Sequence, residues 1–326
     1  MSLKHVVLLF TGGTISMRID PDTGGAVPAL SGQEIVSAVP GIEKEARLTL
    51  EDYARLPGPH VTPEWMWTLR GEVAARLADP GVDAVVCTHG TDTLEETAYL
   101  LDLTLPGQKP VVFCGAMRTV SEPGWDGPAN LLAAVRVAAH AGSPGRGVLI
   151  ALGEYVHAAA EVTKWHTQSL AAFRSPHGAL GAVERDSVAY YRPPQRAAVL
   201  TPRALVPDVD LHTMAVGASS APVMASVERG ARGLVIEATG AGNVPPSVMP
   251  ALRAALARGM TVVVVSRCPE GRVYPAYGYE GGGRMLLDMG VILGGDLPGP
   301  KARIKLMVAL GVTGDHAALR RLFDDA

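Results

Sequence analysis

Apolar runs of strand length recur along the chain at 6–10, 82–87, 111–114, 148–152, 234–236 and 261–265. Continuous runs of this length, without alternation, predict strands covered on both faces, as in parallel sheets between layers of helices. Between them, apolar positions three and four apart at 63–77, 94–101, 128–141, 247–258 and 281–289 predict amphipathic helices. Strand, loop and helix in repeated alternation predict an α/β fold with mostly parallel sheets and right-handed crossovers.

Local punctuation refines this picture. Thr93 with Glu96 has the spacing of a capping box for a helix beginning at Leu94. Asp126 followed by Pro128 suits a helix start, and Gly142 suits its end. The stretch Tyr191-Arg192-Pro193-Pro194-Gln195-Arg196, with Pro202 and Pro207 beyond it, breaks the rhythm and predicts an extended linker. The chain has 326 residues, which at about 150 per domain fits two α/β domains. The expected division is a larger N-terminal domain at 1–191, a linker at 192–212 and a smaller C-terminal domain at 213–326.

A hydrophobic fraction of 48% excludes a disordered chain, and aromatics at 5% leave the core to Ala, Val, Leu and Ile. The net charge of −3 offers no electrostatic ground for binding nucleic acid or an anionic membrane. Cys87, Cys114 and Cys268 lie in or beside apolar segments, so buried free thiols in a reducing compartment are expected. Neither CxxC nor HExxH occurs, and no metal site is expected. The apolar run at 6–10 is too short for a signal peptide, and no run is long enough to span a membrane. A cytoplasmic protein is the expectation.

Ligands of parallel α/β sheets gather at the carboxyl ends of the strands. Three such ends carry Thr11-Gly12-Gly13-Thr14, Thr88-His89-Gly90-Thr91-Asp92-Thr93 and Gly115-Ala116-Met117-Arg118. They supply hydroxyls, one carboxylate and glycines that permit close backbone approach. Taken singly, these threonines and the aspartate read equally as helix caps and turn residues. A threonine hydroxyl needs a base to act as a nucleophile. Lys164, in Glu161-Val162-Thr163-Lys164, is the candidate, because a desolvated amine can lose its proton near neutrality. His89 beside Gly90 reads as a packed structural residue. The patterns GxxxxGK[ST], GxGxxG and GxSxG are absent, which argues against a nucleotide site and an α/β-hydrolase nucleophile.

Thr11-Gly12-Gly13-Thr14-Ile15 and Thr88-His89-Gly90-Thr91-Asp92-Thr93-Leu94-Glu95-Glu96-Thr97-Ala98 resemble the two signature segments of the bacterial-type L-asparaginases, the asparaginase/glutaminase family. Segments beginning at Lys109, Asp126, Val162, Gly290 and Lys301 are similar to later parts of the family pattern, so the resemblance spans the chain. It implies a homodimer or homotetramer that needs no cofactor and hydrolyses the side-chain amide of L-asparagine, a small-molecule substrate. By resemblance, Thr14 is the nucleophile. Thr91, Asp92 and Lys164 form a second hydroxyl–carboxylate–amine group, Asp92 also holds the substrate ammonium, and Ala116 meets the amide through its backbone.

The chain departs from the family pattern in the lid, in the substrate clamp and at Gly281-Gly282-Gly283, where the acidic residue that some relatives lend from a partner subunit has no match. The lid segment 16–30 has Ala26 where the family has a Tyr. Gly58 and Pro59 stand where a substrate-binding Ser and its neighbour are expected, and Asn243 matches a polar residue lent by a partner subunit. Two further readings follow: the same chemistry on glutamine or an N-substituted asparagine, and a weakly active amino-acid-binding regulator.

Overall fold

Strand β1 (His5–Gly12) is buried from Val6 onward, as its unbroken apolar run requires. A short turn then leads into a hairpin of β2 (Met17–Ile19) and β3 (Ala26–Pro28) and on to α1 (Gly32–Ser37), opened by a complete capping box of Ser31 and Glu34. β4 (Arg47–Leu56) precedes α2 (Pro63–Ala78), where Thr62 accepts from the Trp65 N–H at 3.2 Å. The alternation continues through β5 (Ala84–Thr88), α3 (Leu94–Thr104), β6 (Val111–Cys114), α4 (Gly127–Ala139) and β7 (Val148–Leu152). β8 (Tyr155–Ala158) follows, then a ribbon of β9 (Thr163–Lys164) with β10 (Phe173–Arg174), then β11 (Gly181–Val183) and β12 (Val188–Tyr190). The computed structural model describes residues 3–324.

Eight of these strands form one sheet in the order β12-β11-β8-β7-β6-β5-β1-β4. β4, β1, β5, β6 and β7 run parallel, and β8, β11 and β12 join antiparallel. Its core is aliphatic: Val6, Leu8 and Val86 of the strands pack with Ile35 of α1 and Leu131 and Val135 of α4. Full burial of each such side chain contributes about 1.5–3 kcal/mol.

A second unit begins at Ala197, and the first ends at Arg196. It comprises β13 (Val209–Thr213), α5 (Ala221–Arg229), β14 (Gly233–Ala238), α6 (Met249–Ala257), β15 (Thr261–Ser266), α7 (Gly283–Asp288), β16 (Ile292–Leu293), α8 (Gly299–Val312) and α9 (His316–Asp324). Its four strands run parallel in the order β13-β14-β15-β16. The chain is thus two α/β units with mostly parallel sheets, the larger one N-terminal. The division falls inside the expected linker 192–212, whose last residues are the start of β13.

Three local expectations need correction. Thr93 precedes α3 but does not cap it, because its hydroxyl donates to Gly58 O at 2.9 Å. α4 ends at Ala139 with His140 as its C-cap, short of Gly142, whose N–H donates to His140 Nδ1. Cys87 and Cys114 are buried free thiols, but Cys268 is exposed, since it lies just beyond the end of β15.

Candidate active site

The site is built where four loop backbones touch. Gly12 and Gly13 turn the chain after β1 with φ of 110° and 81°, in the left-handed region that favours glycine. A Cβ on Gly13 would lie 2.5 Å from the Gly90 nitrogen, and one on Gly90 would lie 2.7 Å from the Gly58 nitrogen. A Cβ on Gly115 would lie 2.6 Å from His89 O and 3.1 Å from Thr91 Cγ2. The chain ends of β1, β4, β5 and β6 therefore meet without side chains between them. This contact brings the loops carrying Thr14, Gly58, Thr91, Asp92 and Ala116 together at the carboxyl end of the sheet.

Lys164 enters from the β9–β10 ribbon. Its Nζ donates to Thr91 Oγ1 at 2.9 Å and to Asp92 Oδ1 at 2.6 Å. The lysine side chain is 16% exposed and that of Asp92 61%, so the pair has one protected and one open end. Thr91 is buried, Thr14 is half-buried, and Ala116 is fully enclosed. A cation, a carboxylate and a hydroxyl in one chain of hydrogen bonds can hold a polar ligand and move a proton.

His89 is closed off from this chemistry. It is buried, Nδ1 donates to Gly90 O at 2.9 Å, and Nε2 accepts from Thr97 Oγ1 at 3.0 Å, a tautomer assigned from its partners. Burial lowers its pKa to about 4, so the ring is neutral at pH 7.

The β6 loop is fixed by Asp126 and Asn130, at the start of α4. The Asp126 carboxylate accepts from the Met117 N–H at 3.0 Å and the Arg118 N–H at 2.9 Å, rather than capping α4. Asn130 Nδ2 donates to Gly115 O at 3.0 Å and to Asp126 Oδ2 at 2.9 Å, while its Oδ1 accepts from the Gly153 N–H at 3.1 Å. The half-buried Asp126 and the buried Asn130 thus hold the backbone on either side of Ala116 in place. A polar pair one helical turn apart at the start of an otherwise apolar helix is the sequence signal.

The same loop docks the β2–β3 hairpin: Val120 N–H donates to Met17 O, and Ile19 N–H donates to Ser121 Oγ at 3.1 Å. Ala26 is exposed on β3. Pro59 is exposed beside buried Gly58, where an added Cβ would press on Asp92 Cβ at 3.3 Å. Asn243 belongs to the second unit, in a turn where its N–H donates to Thr239 O and its carbonyl accepts from the Thr239 N–H.

Residues 5–196 match the family description "Asparaginase, N-terminal", and residues 208–323 match "Glutaminase/Asparaginase C-terminal domain". The chain is 39% identical to "Probable L-asparaginase" of Deinococcus radiodurans over 99% of its own length and 98% of that protein's. It is 34% identical to "L-asparaginase" of Bacillus licheniformis, covering 94% of this chain and 95% of that one. A solved structure, "Probable Cytoplasmic L-asparaginase from Campylobacter jejuni", superposes with a TM-score of 0.88 at 32% identity, covering 98% of this chain and 99% of the other. The chain belongs to the asparaginase family and is an asparaginase-type amidohydrolase.

Proposed function

We propose that the protein hydrolyses the side-chain amide of L-asparagine to L-aspartate and ammonia, with Thr14 as nucleophile. The observation that carries this reading is the Thr91–Lys164–Asp92 cluster, formed at a strand end whose backbone touches the loop of Thr14. The Thr14 hydroxyl oxygen attacks the amide carbon and passes its proton towards the departing nitrogen. The C–N bond breaks, ammonia leaves, and an ester to Thr14 remains. Water then attacks that ester, its proton relayed through Thr91 and Lys164, and aspartate is released with the Thr14 hydroxyl restored. Backbone N–H groups at the glycine-rich strand ends stabilise the oxygen that gains charge in both steps. Gly58 and Asp92 contact the amino-acid end of the substrate, Pro59 lies at its rim, and the Ala116 backbone faces the amide.

The assembly we infer is a homodimer or homotetramer in which Asn243 of a partner subunit completes the site. Buried free thiols at Cys87 and Cys114 support a cytoplasmic setting. Among the described residues no helix is long and apolar enough to cross a membrane. A second reading keeps this machinery and changes the amide to glutamine or an N-substituted asparagine, since Gly58 and Pro59 stand where the family's substrate-binding Ser and its neighbour are expected. Relatives include a "Glutaminase-asparaginase" of Pseudomonas fluorescens, 31% identical over 98% of this chain and 90% of its own length. Ammonia release over a panel of Asn, Gln, D-Asn and N-substituted amides, for the parent and Thr14→Ala, decides the matter. Asparagine as the fastest substrate, with release abolished by Thr14→Ala, is expected. Near-parental activity in Thr14→Ala overturns the nucleophile, and no turnover of any amide leaves a binding protein.

A further inference from the structure

The ribbon that carries Lys164 stands apart from the main sheet. β9 and β10 pair with each other, two residues on each side, and neither joins the eight strands whose ends build the site. Beyond Lys164 the ribbon is open to solvent, with Trp165 44% and Leu170 37% exposed. Val162, Ala172 and Phe173, the last paired with Lys164, are buried and anchor the ribbon's base, but two paired residues a side leave the Lys164 backbone to be fixed by contacts outside the ribbon. The Lys164 ammonium must nevertheless sit within hydrogen-bond reach of both Thr91 and Asp92.

Glu95 supplies a tie between ribbon and sheet. It lies in the first turn of α3, three residues after Asp92, and is buried although it is a carboxylate. Its Oε2 accepts from the Lys164 backbone N–H at 2.5 Å. Buried carboxylates are uncommon and are retained where their hydrogen bonds are made. Here the bond joins the backbone of Lys164 to the same helix end that carries Thr91 and Asp92. Lys164 is thus held twice by one stretch of chain, at its backbone by Glu95 and at its amine by Thr91 and Asp92.

We propose that Glu95 is a positioning residue: its carboxylate fixes the Lys164 backbone so that the amine meets Thr91 and Asp92. The relevance of this to turnover rests on the roles proposed above for Thr91 and Lys164. Glu95 touches no substrate and works through the accepted hydrogen bond. An acceptor of the same length must therefore replace it, and a shorter one must not.

Three variants and two measurements test this: Glu95→Gln, Glu95→Asp and Glu95→Ala, each assayed for ammonia release from asparagine and for acylation of Lys164 by an amine-reactive ester, read by peptide mass spectrometry. Misplacement by about 1 Å can cost about 10²-fold in rate, so Glu95→Ala and Glu95→Asp are expected to lose kcat on that scale with KM nearly unchanged. In both, Lys164 acylation rises toward that of a solvated lysine, and Glu95→Gln restores both readouts. If Glu95→Ala does not fold, the Gln and Asp pair decides alone. Parental kcat and parental acylation in Glu95→Asp overturn the proposal, as does a Gln variant as impaired as Ala, which would mean that charge rather than position matters. A parent protein that releases no ammonia defeats the hydrolytic reading, while the acylation series still decides whether Glu95 places Lys164.

Discussion

Gly13 and Gly90 meet backbone to backbone: a methyl group on Gly13 would fall 2.5 Å from the Gly90 nitrogen and 2.6 Å from its Cα. The loop of Thr14 and the loop of Thr91 therefore share a contact in which neither partner can rotate away. Gly90→Ala would add a Cβ 2.7 Å from the Gly58 nitrogen, also backbone. We expect it to destabilise the protein by about 1–3 kcal/mol, as overpacking does, and to lower kcat about 10²-fold through displaced loops. Gly71, inside α2 with nothing within 4 Å of an added Cβ, is the control. Gly71→Ala should stabilise by about 0.5–1 kcal/mol with activity unchanged. Urea midpoints and ammonia release measure both.

His89 sets a pH dependence of stability. Its pKa is about 4 in the fold, and a solvated histidine titrates near 6.5. Below the unfolded value the unfolded chain binds a proton that the folded ring refuses, so stability falls from pH 6.5 toward pH 4. The full difference is on the order of 3 kcal/mol. His89→Asn should flatten the decline in that window, read from urea unfolding at a series of pH values. An unchanged slope between pH 6.5 and 4 would show that the ring is charged in the fold.

Asn130 links Gly115, Asp126 and Gly153, three segments that meet beside Ala116. Asn130→Ala leaves the Gly115 carbonyl and the Gly153 N–H without this partner, each loss worth about 1–3 kcal/mol when buried. We expect a lower melting temperature and a kcat at least tenfold down. Asn130→Asp keeps an acceptor for the Gly153 N–H but sets a second carboxylate against Asp126 and an oxygen against the Gly115 carbonyl, and so should melt no higher than Asn130→Ala.

The β2–β3 hairpin is expected to order over ligand. Its turn is held by Asp20, whose Oδ1 accepts from the Thr23 N–H at 2.8 Å, but Ile19 and Val27 on its strands are exposed. With so little burial its local stability should be low. Hydrogen exchange of residues 16–30 with and without saturating aspartate should show added protection in the liganded state. Equal protection in both would make the hairpin a fixed surface feature.

The central strands and their helices were legible because double-sided burial writes an unbroken apolar run, as in β5 and β15. β4 was not, since it is the edge of its sheet and its apolar and polar residues mix. β8, β11 and β12 are short antiparallel additions with no run to read. α8 was not legible because Lys301 and Lys305, residue types of the surface, are buried in it. The meeting of Lys164 with Thr91 and Asp92 was foreshadowed by a hydroxyl and a carboxylate at one strand end and an amine beyond another. Glu95 was hidden as an apparent first-turn helix acid, because only the folded ribbon brings the Lys164 N–H to it.

Lys164 reaches Thr91, 73 positions earlier in the chain. The residues between them include β6 and β7 and the helices packed beside them, which must be in register before ribbon and helix end can meet. Long-range closure of this kind is slow compared with the formation of helices. In a refolding experiment, far-UV ellipticity should therefore return first, and amide hydrolysis should return with the last tertiary phase. The enzyme becomes active as a late event of folding.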